Sequence, residues 1–97
     1  MRVSPAGKAF RVAVRNAVVR AHCPRLVGRL SVWIMAVPPD RRRRDLDNIL
    51  KATLDALQAA RVFEDDSQID HLEISRGTWS GDGGILRVSV NELPPLP

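Results

Sequence analysis

The stretch that most constrains this chain runs from Leu46 to Leu57. There Leu46, Ile49, Leu50, Leu54 and Leu57 recur at the three-to-four spacing of a helix with one buried stripe. The segment reads as an amphipathic helix, and at about 100° per residue Asp47, Lys51, Asp55 and Gln58 share the polar face beside that stripe. Asp45 stands just before it, where a carboxylate oxygen can accept the unpaired amides of the first turn. Asn48, three residues on, leaves the capping box incomplete. Pro38, Pro39 and the run Arg41 to Arg44 come first, so phosphate-binding cations stand directly against carboxylates able to hold a divalent metal.

The flanks alternate with a period of two. From Arg29 to Val37, Leu30, Val32, Ile34 and Ala36 fall on one face and Ser31, Trp33 and Met35 on the other; both faces are largely apolar, the pattern of a central strand. The two prolines end it, since proline cannot donate to the ladder. After the helix, Val62 to Ser67 is an acidic turn, and Gln68 to Arg76 is a second strand with Leu72 and Ile74 on one side. Strand, helix and strand in that order predict a right-handed crossover between parallel neighbours. Asp45 and Asp66 then fall near opposite ends of the helix unless the turn folds back. Gly77 to Gly84, with Trp79, is a glycine-rich turn into a third strand, Ile85 to Asn91, and these last two strands read as an antiparallel hairpin. At the other end Ser4-Pro5 starts a helix with a buried stripe of Phe10, Val14, Val18 and Ala21, stopped by Pro24. Its other side carries Lys8, Arg11, Arg15 and Arg20, either a nucleic-acid contact or a solvated basic face.

The expected fold class is therefore α/β of the α+β kind: a small mixed sheet of about three strands with two helices, in the order α-β-α-β-β. Residues 1–97 make a single domain, with a frayed proline-rich tail over 91–97. A chain this short buries only about two thirds of its unfolded surface, so association into an oligomer would help. The net charge is +4, carried by arginine far more than lysine, whose planar fork suits bidentate contacts to phosphate and makes a polyanionic partner the leading expectation. Cys23 is the only cysteine and cannot close an internal disulfide, which fits a reducing compartment. With no apolar run of membrane-spanning length and no signal-peptide core, the expected place is the cytoplasm.

Phosphodiester hydrolysis needs a positioned water, a metal that makes it nucleophilic and positive charge facing the transition state. Asp45, Asp47 and the Asp65/Asp66 pair can supply oxygens, and magnesium takes only one or two carboxylates. Lys51, one turn after Asp47, can orient water or meet a phosphoryl oxygen. Arg41, Arg42, Arg43 and Arg44 can bring the backbone to the metal. The plainer alternative makes Asp47 and Lys51 an ordinary surface pair worth a few tenths of a kcal/mol and Asp45 only a cap. His22, Cys23 and the distant His71 lack the spacing of a zinc site. Trp79 either stacks on an exposed base or packs over the thin core.

The run Pro39-Asp40-Arg41-Arg42-Arg43-Arg44-Asp45-Leu46-Asp47-Asn48, with Lys51 a turn later and Phe63-Glu64-Asp65-Asp66-Ser67-Gln68-Ile69 after the helix, resembles the RusA family of Holliday junction resolvases. The resemblance extends from about Val3 to Val90. It implies a small homodimeric, mostly phage- or prophage-encoded endonuclease that uses magnesium to nick two opposed strands of a four-way DNA junction in recombination and repair. It makes Asp45, Asp47 and Asp66 the metal-binding carboxylates and Lys51 the catalytic lysine, with Asp65 in a less essential place. It also implies that the acidic turn comes to the same site as the helix start. A two-fold dimer suits a junction with equivalent strands. The family's pattern carries a further strand and a proline- and asparagine-containing loop ahead of the position of Ser4. Neither is present here, so a sheet edge is expected to be open to pairing with another chain. The alternatives are an inactive junction-binding remnant lacking that strand, and a general RNA- or DNA-binding domain.

Overall fold

A computed structural model of the chain describes residues 5–37, 45–78 and 84–96. Ser4, the arginine run Arg41 to Arg44 and Trp79 lie outside these residues. The elements are α1 (Pro5–Arg20), β1 (Leu30–Val37), α2 (Leu46–Ala59), a short 3-10 turn (Asp66–Gln68), β2 (Ile69–Arg76) and β3 (Ile85–Glu92). The predicted α-β-α-β-β order with a three-stranded mixed sheet is what the chain adopts.

The sheet order is β2-β1-β3. β1 lies at the centre, parallel to β2 with Ile34 opposite Ile74, and antiparallel to β3 with Ile34 opposite Val88. The expected hairpin of β2 and β3 does not form: β3 pairs with the other edge of β1. The apolar faces explain why. The most buried strand, with Leu30, Val32, Ile34 and Ala36 all in the core, gains most from neighbours on both sides, and Leu86, Val88 and Val90 of β3 align with Ala36, Ile34 and Val32.

Both helices lie towards that inner face. α1 packs on α2, and Val14, Val18 and Cys23 rest against a core cluster of Leu30, Leu57, Val62 and Phe63. The predicted stripe of α2 is half-buried at Leu46, Ile49, Leu50 and Leu54 and fully buried at Leu57, together with Thr53 and Ala56. Thr53 is tolerated in the core because its hydroxyl donates to the Ile49 carbonyl at 2.7 Å. Between α1 and β3, Phe10, Val14 and Val18 face Leu86, Val88 and Val90 across an open apolar groove of about 660 Å³.

The two helices end alike, and without glycine. His22 (φ 51) and Arg61 (φ 62) take the left-handed conformation just past each helix. The following amides, Cys23 and Val62, then bond back to the Val18 and Leu57 carbonyls at 3.2 and 3.1 Å. This is the Schellman arrangement, and the contact of Val62 with Leu57 in the core secures the second copy of it. Pro24 therefore follows a stop already made by His22.

The turn after α2 is anchored from two sides. Gln68 accepts from the Glu64 and Asp65 amides at 2.9 and 3.0 Å, and its Nε2 donates to the Leu26 and Gly28 carbonyls at 3.3 and 3.0 Å. Gln58 of α2 donates to the Glu64 carbonyl at 3.1 Å, which draws the turn back along the helix. The tail expected to fray is tied down as far as Pro94. The Leu93 amide bonds the Arg29 carbonyl at 2.7 Å, and the Arg29 guanidinium bridges Asp70 and the Pro94 carbonyl at 2.6 and 2.7 Å.

Two outcomes follow. Arg61→Gly relieves the left-handed strain and stabilises the domain by a few tenths to about 1 kcal/mol in denaturant unfolding, the gain being trimmed by glycine's freer unfolded chain. Gln68→Ala removes the four hydrogen bonds that tie the turn down, three of them open to water, and costs on the order of 1 kcal/mol. Amide exchange at Glu64 and Asp65 should then speed up well beyond that of α2; equal acceleration everywhere would argue against a local clamp.

Candidate active site

α2 begins at Asp45, whose backbone is extended (φ −68, ψ 129) and whose carbonyl receives the Ile49 amide at 3.2 Å. Its carboxylate, expected to cap the first turn, accepts no amide there. Among the described residues the Asp45 side chain makes no hydrogen bond or ion pair. Asp47 and Lys51 are exposed one turn apart on the polar face, as the periodicity places them. Among the described residues they form no ion pair with each other or with any other group. Neither of the plainer roles, a cap or a surface pair, is realised by these three residues.

At the far end of α2 the acidic turn is internally bonded. The Asp65 carboxylate accepts the Ser67 amide at 3.2 Å, closing a capping box with Gln68. That amide is the main reason Asp65 is held below the usual carboxylate range. Asp66 moves the other way. Sharing a hydrogen bond with the Asp65 carboxyl raises it first, followed by a slight loss of hydration and by the negative charges of Asp65 and Asp55.

Asp55 lies eight residues after Asp47 on the same face, about 12 Å along the axis. The Gln58 bond to the Glu64 carbonyl draws the turn back onto the C-terminal half of α2, where the charge of Asp55 adds slightly to what raises Asp66. The chain thus sets Asp47 beside Lys51, and Asp66 beside Asp65 and near Asp55. It does not gather Asp45, Asp47 and Asp66: among the described residues no three His, Cys, Asp or Glu side chains group closely enough to hold a metal ion. The donor chemistry fits magnesium in kind, since Asp45 and Asp47 offer hard oxygen ligands with no competing partner among the described residues and magnesium asks for one or two carboxylates with waters completing the shell.

The remaining candidates are placed as follows. Arg11 and Arg15 are exposed one turn apart on α1. His22 and Cys23 sit at the end of α1, whereas His71 lies in β2 against Trp33, with ring centroids 5.6 Å apart, so the three do not meet. Two residues gain importance that the spacing of charges did not assign. Asp55 enters through its effect on Asp66. Gln68 enters as the anchor of the turn, and the Asp-x-x-Gln spacing from Asp65 is the signal that marks it.

Comparison with known proteins bears on the family of the chain. A family model described as endodeoxyribonuclease RusA matches residues 1–91. A crossover junction endodeoxyribonuclease rusA of Enterobacteria phage HK97 is 48% identical over 65 residues, 67% of this chain and 53% of the relative. The protein named crossover junction endodeoxyribonuclease RusA in Escherichia coli is 35% identical over 92 residues, 94% of this chain and 76% of the relative. A further relative of the same name, from Enterobacteria phage 82, is 42% identical over 55 residues, 57% of this chain and 45% of the relative. The match thus spans about half the length of the phage relatives and three quarters of the bacterial one. No helix among the described residues is long and apolar enough to cross a membrane. The match over nearly the whole sequence places this chain in the RusA family.

Proposed function

We propose that the chain is a magnesium-dependent endonuclease that resolves four-way DNA junctions by paired nicks, acting in the cytoplasm as a homodimer in recombination and repair. The observation that carries this reading is the set of uncommitted side chains at the start of α2: Asp45, Asp47 and Lys51, directly after Arg41 to Arg44 in the sequence. A magnesium ion held by Asp45 and Asp47 would supply a water of lowered pKa and neutralise charge on the phosphoryl oxygens. Asp66 adds the third carboxylate if its turn draws up towards the helix start. Lys51, one turn from Asp47, donates to the phosphoryl oxygen on which charge builds, or orients the attacking water. Arg41, Arg42, Arg43 and Arg44, with Arg11 and Arg15 on α1, hold backbone phosphates and so position the scissile bond.

A second reading is a protein that binds junctions without cutting them. It is favoured by one observation: among the described residues no three His, Cys, Asp or Glu side chains group closely enough to hold a metal ion. A labelled four-way junction with and without magnesium separates the two, since binding without nicks supports the second. A general nucleic-acid-binding domain would show no preference for junction over duplex in a competition at fixed salt.

Asp47→Asn should lower magnesium-dependent nicking by at least about a hundredfold while leaving the junction dissociation constant within about threefold. Undiminished nicking in that variant removes the mechanism. Arg15→Ala should weaken binding to junction and duplex alike and reduce the log–log salt slope by about 1. An unchanged slope would take α1 out of the DNA contact.

A further inference from the structure

Ile69, Leu72 and Ile74 of β2 lie opposite Leu30, Val32 and Ile34 on the inner face of the sheet, although the first two are three residues apart. Strict alternation would send one of them to the other face, so one residue has to be passed over. That residue is Asp70. Leu30 is level with Ile69 and Ser31 with His71, and Asp70 stands between as the extra residue of a bulge, with no partner on β1. A bulge re-aims the side chain it carries, and here the Asp70 carboxylate accepts from the Arg29 Nε at 2.6 Å, just ahead of β1.

Arg29 ties three segments together. Besides Asp70, its Nη1 donates to the Pro94 carbonyl at 2.7 Å, and its own carbonyl accepts the Leu93 amide at 2.7 Å. The residue before it, Gly28, is left-handed (φ 84) with open space where a side chain would stand, which makes it the softest joint of the segment. From that joint hangs the acidic turn, because the Leu26 and Gly28 carbonyls receive the Gln68 side chain. Gln68 to Gly28 and Asp70 to Arg29 are thus two successive rungs between the start of β2 and the approach to β1.

We infer that Arg29 is a positioning residue for the acidic turn: with Asp70 and the tail it fixes the joint from which Gln68 suspends Asp65 and Asp66, and so sets how the third carboxylate stands towards the start of α2. This rests on the proposed nuclease function and adds to it a residue that touches neither substrate nor metal. Two observations favour positioning over bulk stabilisation. The Arg29 and Asp70 side chains are 32% and 41% exposed, and an ion pair so open to water adds little to stability. The geometry is nevertheless closely specified, since one planar guanidinium meets acceptors 41 and 65 residues away in the sequence. Loosening such a support leaves a ligand carboxylate to be ordered when the ion binds, which weakens binding about ten- to a hundredfold at metal sites in general.

Arg29→Met keeps the aliphatic stem and removes every side-chain donor, whereas Asp70→Ala removes one acceptor and leaves Arg29 on the tail. Both variants of the full chain should keep the wild-type circular dichroism spectrum. Amide exchange at Glu64, Asp65 and Ser67 should speed up about tenfold relative to the middle of β1. The magnesium concentration for half-maximal nicking of a four-way junction should rise about tenfold, with the junction dissociation constant within about threefold of wild type. Arg29→Lys, which keeps the charge without the fork, should fall between. If Arg29→Met does not fold, Asp70→Ala carries the same comparison. Unchanged exchange at the turn overturns the clamp, and faster exchange with an unchanged magnesium requirement overturns its part in positioning. A wild type that binds junctions and never nicks them, while both variants loosen the turn, is instead the failure of the nuclease reading, and the positioning role falls with it.

Discussion

Leu30, Val32, Ile34 and Ala36 point towards the helices while Trp33 and Met35 point away, and the rest of the molecule is arranged around that one-sided burial of β1. A strand buried on one face and lined with large apolar groups on the other recruits neighbours on both edges. It also needs helices above it. α2 meets the second need by laying Thr53, Ala56 and Leu57 inward, and this fixes which of its faces is left to solvent. Asp47, Lys51 and Asp55 are displayed because the opposite side of the same helix is committed to the core.

The position of the acidic turn follows from hydrogen bonding more than from packing. Leu57 and Val62 close the end of α2 through a left-handed Arg61, and the chain emerges running back alongside the helix. Gln58 and Gln68 then fix the backbone of the turn to α2 and to the Leu26 and Gly28 carbonyls. The shared hydrogen bond with Asp65, and last the charge of Asp55, hold Asp66 above its ordinary value.

Much of this architecture is legible in the residues, and the places where it is not have physical causes. The stripe of α2 and the alternation in β1 mark their elements plainly, because each periodicity runs over several repeats. Strand order was not legible: β2 and β3 are consecutive and separated by a glycine-rich stretch, so local rules pair them, but the burial of β1 makes it the better partner for both. Helix ends without glycine also hide from sequence, since Arg61 has no left-handed preference and His22 only a slight one, and both are held left-handed by the back-bonded amides of Cys23 and Val62. At the site, composition and spacing single out Asp45, Asp47 and Lys51. How far Asp66 stands from them depends on a turn whose anchor, Gln68, reaches across about forty residues of sequence.

The central claim is that the carboxylates at the start of α2 hold a divalent cation. Its most direct test is paramagnetic: manganese, standing in for magnesium, is titrated into the chain while the backbone amide spectrum is followed. The account predicts line broadening that begins at Asp45 to Asn48, spreads next to Asp65 and Asp66, and is abolished by excess magnesium. Broadening centred on Asp55 and the acidic turn while the start of α2 stays sharp, or broadening with no focus, would contradict it.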